Sequence, residues 1–193
     1  FDRGVRYITL THSKDNAICD SSYDDRHTHG GLTTLGREVV AEMNRLGIMI
    51  DVSHISDQAF EQVMKISQVA AIASHSSCRH FTPDWERNMS DDMIKKLAKK
   101  GGVIMINFGS SFIAEKARQE RSKMWEAMEK FKTDNNVEHG DPRLKAFRTT
   151  YASKHDLPFA TVEQVADLID HVVKLTSIDH VGLGSDFDGV GDS

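Results

Sequence analysis

The 193-residue sequence has only two cysteines, Cys19 and Cys78, and no C-x-x-C pair. It therefore has no disulfide framework, and the two are expected to be free thiols, compatible with any redox compartment. It also lacks an excess of positive charge. Lys and Arg number 24 against 29 Asp and Glu, giving a net charge of −5. That balance makes no electrostatic case for nucleic acid or an anionic membrane. No apolar run approaches the roughly eighteen residues that a membrane span needs. The chain opens "FDRGVRYITL" without Met and stops at "DFDGVGDS" just after a strand, as expected of a piece of a longer protein. The absence of a targeting segment thus leaves localisation undefined.

What remains, 39% hydrophobic and 27% charged, describes an ordinary globular chain with material for one sizeable core. Three strand–loop–helix units are legible. The strand Ile48–His54 leads to a helix with Ser56 as N-cap, and Ile55 and Phe60 stand at the positions of a hydrophobic staple. The strand Val69–His75 leads to a helix capped by Ser90, with Met89 and Ile94 as staple and Asp91 and Asp92 at its positive start. Gly102–Phe108 is a third apolar strand. "RYITLTH" precedes a helix near Thr34–Leu46 that presents Leu35, Val39, Met43 and Leu46 on one side. Late in the chain a Thr161–Gln164 capping box opens a helix carrying Val165, Leu168, Ile169 and Val172 at helical spacing, and "HVGLGSDF" follows as a strand.

Apolar strands alternating with amphipathic helices predict α/β architecture with a parallel sheet, either doubly wound or part of a (β/α)₈ barrel. In both, ligands bind at the C-terminal ends of the strands. His12, His54, His75, Asn107 and Asp186 all fall there, one per strand. The charged segment Ala114–Pro158 interrupts the alternation and reads as a helical insertion at about 114–158, either a solvated hairpin or a lid, within one domain over 1–193.

Histidines closing two consecutive strands point to a shared metal, because zinc-type ions take neutral imidazole nitrogen at about 2.0–2.1 Å. Each could instead cap its strand by bonding a carbonyl. "GSDFDG", Gly184–Gly189, offers Asp186 as a metal ligand or as the acceptor of a proton from a metal-activated water. Its alternating acids do not make an EF-hand, which needs a Glu at position twelve. His12 could polarise a substrate carbonyl, and Arg87 could hold a carboxylate in its planar fork. The His27–His29 "HTH" follows the polar run "SSYDDR" and reads as loop. "NMS" at Asn88–Ser90 matches a glycosylation acceptor by chance, since Ser90 is needed as a cap.

"RYITLTHS", "GLTTLGREVVAEMNRLGIMIDVSH", "ASHSS", "RNMSDD" and "GLGSDFDG", in this order and spacing, resemble the membrane (renal) dipeptidase family of zinc peptidases. The resemblance covers nearly everything outside the insertion. It implies a distorted, amidohydrolase-like (β/α)₈ barrel, here partial and without its N-terminal strands, with two zinc ions per intact active site and dipeptides as substrate. It implies His54 and His75 as ligands of the second zinc, and Asp186 as the carboxylate that assists proton transfer and steadies the substrate amine. His12 corresponds to the histidine facing the carbonyl oxyanion, and Arg87 to the arginine of substrate binding. Homodimers are common in that family. Two features depart from its pattern. No His-x-Asp pair or G-x-E-G follows a strand, so those ligands would lie upstream of Phe1 and the isolated chain would be inactive. Phe112 stands where the family can carry a Tyr. A related hydrolase acting on lactones or N-acyl amino acids, or a metal-free binding homologue, are the alternative readings.

Overall fold

A computed structural model of the chain describes residues 1–138 and 140–190. Five parallel strands form one sheet: β1 (Tyr7–Thr9), β2 (Met49–Asp51), β3 (Ala71–Ser76), β4 (Val103–Ile106) and β5 (Val181–Leu183). Their order in the sheet is their order in the chain. A doubly wound sheet reverses direction at a switch point and sends helices to both faces, whereas a (β/α)₈ barrel advances one strand at a time. The sequential order decides for the barrel type, and the five strands make an arc of it.

The helices that cover this arc are α1 (Thr34–Leu46), α2 (Asp57–Ile66), α3 (Asp91–Lys99) and α7 (Val162–Leu175). Phe60, Val63, Ile94, Leu97, Leu168 and Val172 from these helices are buried against Ile50, Ala71, Ala73, Ile104 and Ile106 of the strands. The local signals hold at each start. Ser56, Ser90 and Thr161 accept from backbone N–H groups of their own first turns, and Thr161–Gln164 forms the reciprocal capping box. Both staple pairs, Ile55 with Phe60 and Met89 with Ile94, are buried.

Two expectations need correction. The strands are shorter than the apolar runs, and only the helix-facing side is sealed. Tyr7, Ile8 and Leu183 of the two edge strands, and Met49 beside Tyr7, remain exposed. Helix α1 keeps Val39 and Met43 of its expected face against the core but turns Leu35 and Leu46 away from it. Gly36, Val40 and Met43 are buried, while Leu35 and Leu46 are exposed. The cause is Gly36: a Cβ there would collide with the Ile18 carbonyl oxygen, so the helix approaches the preceding loop through this glycine.

The 114–158 region is a helical hairpin of α5 (Glu115–Asn135) and α6 (Pro142–Ala152), preceded by the short α4 (Ser110–Ile113). It has a small core of its own, Met128, Val137 and Leu144 with Phe131 and Phe147. His139, in the expected break between the two helices, lies outside the described residues. A final turn, α8 (Phe187–Val190), follows β5, and Asp192 of the acidic run also lies outside the described residues. Among the described residues no helix is long and apolar enough to cross a membrane.

Candidate metal and active site

Strands β2 and β3 pair Ile50 with Ala71 and Asp51 with Ile72, a step of 21 residues. Carried three residues further, that register sets His54 opposite His75. The two Nε2 atoms lie 2.8 Å apart. His75 is still within β3, but His54 has left β2 and adopts φ +72°. A left-handed conformation at a non-glycine residue costs on the order of 1–3 kcal/mol and recurs at functional sites. Here it turns the His54 ring toward the neighbouring strand. Asp186, beyond β5, repeats the device with φ +55°.

Burial, the Arg87 charge and the other two histidines push the His54 imidazole down to about 2, and burial and Arg87 also lower His75. Both rings are thus neutral near pH 7, the form in which imidazole ligates metal. Two neutral nitrogens converging from adjacent strands, with a carboxylate on the same rim, match the donor set of zinc. The residues present therefore fit part of a zinc centre.

His12 lies just past β1, its ring centroid 4.4 Å from that of His54. Its Nδ1 is 2.7 Å from the Ser13 hydroxyl. Asp186 accepts a 3.0 Å hydrogen bond from Asn107 Nδ2 through Oδ2. Gly184 permits this placement, since a Cβ there would collide with the Ser74 carbonyl oxygen. Arg87 is buried and donates to the His75 carbonyl oxygen at 2.7 Å and to Ser76 Oγ at 2.9 Å. Its guanidinium carbon sits 5.1 Å from the Phe112 ring centroid, behind the wall of the site. Burial lowers the Arg87 guanidinium below its ordinary value, opposed by Tyr23, Asp186 and Asp51. The structure thus places His12, His54, His75 and Asp186 on one cavity and Arg87 one layer back.

That cavity has a volume of about 530 Å³, within the roughly 300–1,000 Å³ range of small-molecule sites. Its far wall comes from the insertion, with Arg118, Arg121, Ser122 and Trp125 of α5 facing the histidines. The hairpin therefore contributes to the site. Tyr23, Trp85 and Phe112 complete an aromatic side, with Trp85 and Phe112 rings 4.9 Å apart.

Sequence reasoning singles out Phe112, which lies in α4, but passes over Tyr23 and Trp85, which lie in loops without periodicity. It also passes over Asp51, whose signal is a lone carboxylate inside the apolar run "IMIDV". Three other motifs fall away from the site. His27 and His29 are in a loop, His27 with φ +43°. Asn88 is buried and its amide donates to Thr82 Oγ1 and the Phe112 carbonyl oxygen, so it is closed to glycosylation. His80, Asp91 and His171 cluster between α3 and α7. The two imidazoles stack at 4.4 Å and 20°, which sends their in-plane lone pairs along parallel lines, and His171 is held by Asp91 at 2.8 Å. That arrangement braces two helices.

The family model for membrane dipeptidase (Peptidase family M19) matches residues 1–193. Dipeptidase verJ of Clonostachys rogersoniana is 36% identical over 187 residues, covering 97% of this chain and 37% of that protein. Among solved structures, the probable dipeptidase PvdM from Pseudomonas aeruginosa superposes with a TM-score of 0.77 at 30% identity, over 98% of this chain and 52% of that one. A metallo peptidase from Rhodobacter sphaeroides, liganded with a phosphinate mimic of the dipeptide L-Ala-D-Ala, gives 0.69 at 26% identity, over 98% and 44%. The chain spans little more than a third of the length of the curated relatives it matches.

Proposed function

The chain belongs to the membrane dipeptidase family, and from that premise we propose that it is the portion of a zinc-dependent dipeptidase that carries one half of the metal centre and the groups around the scissile bond. The observation that carries this reading is the convergence of His54 and His75, 2.8 Å apart at Nε2, on a cavity that also holds His12 and Asp186. The dipeptide mimic on the Rhodobacter sphaeroides relative supports dipeptides as the substrate class. His54 and His75 would hold one zinc of a pair, the remaining ligands coming from outside these 193 residues. Zinc bound there supplies positive charge that polarises the scissile carbonyl and acidifies the attacking water.

The chain's own residues do the rest. Ser13 Oγ lies 2.7 Å from His12 Nδ1; in the tautomer in which Ser13 donates there, His12 carries its proton on Nε2 and can donate it as a hydrogen bond to the carbonyl oxygen as negative charge develops. Asp186, oriented by Asn107, takes a proton from the attacking water and delivers it to the leaving amine. Its charge also favours a substrate that presents a free ammonium group. Arg87, one layer behind the wall, gives that end of the cavity a positive field for the substrate carboxylate.

Hydrolysis of dipeptides with free and with acylated N-termini by the full-length protein tests this reading. It requires turnover of the free dipeptides, loss of that turnover in His75→Ala, and rejection of the acylated ones. Preferential cleavage of N-acyl amino acids or lactones would replace it with the related hydrolase reading.

A further inference from the structure

We propose that Asp51 is a positioning residue that acts through the Ser74 hydroxyl to fix His75 as the Nδ1–H tautomer, leaving a bare Nε2 lone pair directed at the metal position; the inference rests on the zinc reading above. Asp51 closes β2 and is completely buried. Among the described residues no cation pairs with it. Its carboxylate instead accepts four hydrogen bonds from three strand ends. Thr9 Oγ1 donates at 2.5 Å, Ser53 N–H at 3.0 Å, Ser74 N–H at 2.9 Å and Ser74 Oγ at 2.5 Å. A carboxylate so surrounded is held in one orientation.

The proton count then runs in one direction. Ser74 has a single hydroxyl proton, and the 2.5 Å bond it donates to Asp51 Oδ2 claims it. Ser74 Oγ is also 2.7 Å from His75 Nδ1, and with its proton spent it can only accept there. Nδ1 therefore carries the hydrogen and Nε2 is left with its lone pair. The backbone of His75 is fixed as well, its N–H donating to Ser53 Oγ at 3.0 Å and its carbonyl oxygen accepting from Arg87 at 2.7 Å. The His54 carbonyl oxygen accepts from Ser22 N–H at 2.7 Å, but the buried His54 Nδ1 lacks a hydrogen-bond partner. The two histidines are thus unequal, His75 preset through its Nδ1 and His54 met at Nε2 by His75 instead. Outer partners of this kind typically contribute about 10–100-fold to metal affinity.

The test uses the full-length protein with ¹⁵N-labelled histidine. In metal-stripped wild type, long-range ¹H–¹⁵N spectra are expected to show His75 with a protonated Nδ1 and a bare Nε2. Ser74→Ala is expected to release His75 toward the Nε2–H form and to weaken zinc binding, read by chelator competition, about 10–100-fold. Ser74→Thr, which restores the hydroxyl, should recover both. A protonated Nε2 on wild-type His75, or a Ser74→Ala variant with tautomer and zinc affinity unchanged, overturns the relay. The wild-type tautomer needs neither a variant nor a metal. A correct tautomer in a protein that binds no zinc would therefore uphold the relay while overturning the function proposed above.

Discussion

His54 and His75 stand 2.8 Å apart at their Nε2 atoms although 21 residues separate them in the chain. The separation equals the step of the β2–β3 pairing, so one turn of the strand–helix unit returns the chain to the same height on the sheet. A parallel sheet built in chain order makes such repeats into neighbours. Asp186 reaches the same rim from β5, next to Asn107 from the end of β4.

In the proposed mechanism His12, on the cavity wall, stabilises developing charge on the carbonyl oxygen. His12→Ala is expected to lower kcat for dipeptides by about 10²–10³-fold, the usual cost of losing one such donor. KM should move far less. Steady-state kinetics on the full-length protein check this, and a change confined to KM would assign His12 to binding alone.

Trp125 projects from α5 of the insertion into the cavity opposite the histidines, half exposed and with Arg148 over its ring. If the hairpin shapes the substrate site, Trp125→Ala raises KM by up to about tenfold, equivalent to 1.4 kcal/mol, and leaves kcat nearly as it was. A series of dipeptides with small and large side chains measures this. Unchanged KM across the series would return the hairpin to the role of a solvated ornament.

Gly184 lets β5 pass close to the Ser74 carbonyl oxygen and Met105. Gly184→Ala forces that contact apart, and overpacking of this kind typically costs about 1–3 kcal/mol. Chemical denaturation should show the loss. Activity should fall further than stability alone explains, because the same strand end aims Asp186.

Burial pushes both Cys19 and Cys78 up to about 12 from an ordinary 9.0. Only thiolate reacts with alkylating agents. Neither cysteine should label in the native protein at pH 8 to 9, and both should label once it is unfolded. The linkage has a definite sign. Thiols that ionise near 9 when unfolded and near 12 when folded give the unfolded state fewer protons above pH 9, so stability falls as pH rises beyond that point. Rapid native labelling at pH 8, followed by mass spectrometry, would show that the thiols are accessible.

Much of this organisation is legible in the sequence because each strand–helix unit is bounded locally. Ser56, Ser90 and the Thr161–Gln164 box announce helix starts through chemistry confined to a few residues. His54, His75 and Asp186 stand out because strand ends seldom finish on such groups. Other features depend on distant partners. The turn of α1 is set by the Ile18 carbonyl oxygen, 18 positions before Gly36, and no helical periodicity contains it. Asp51 looks like a polar interruption of a strand until Thr9 and Ser74 are seen beside it. The participation of α5 in the cavity follows from how the hairpin folds back, and its evenly charged surface gives no sign of that.

Elemental analysis of the full-length protein, beside its His54→Ala/His75→Ala variant, tests the central claim most directly. The account predicts two zinc ions per chain in the wild type, falling to one or none in the variant. No metal above background in zinc-replete wild type, or an unchanged count in the variant, would contradict it.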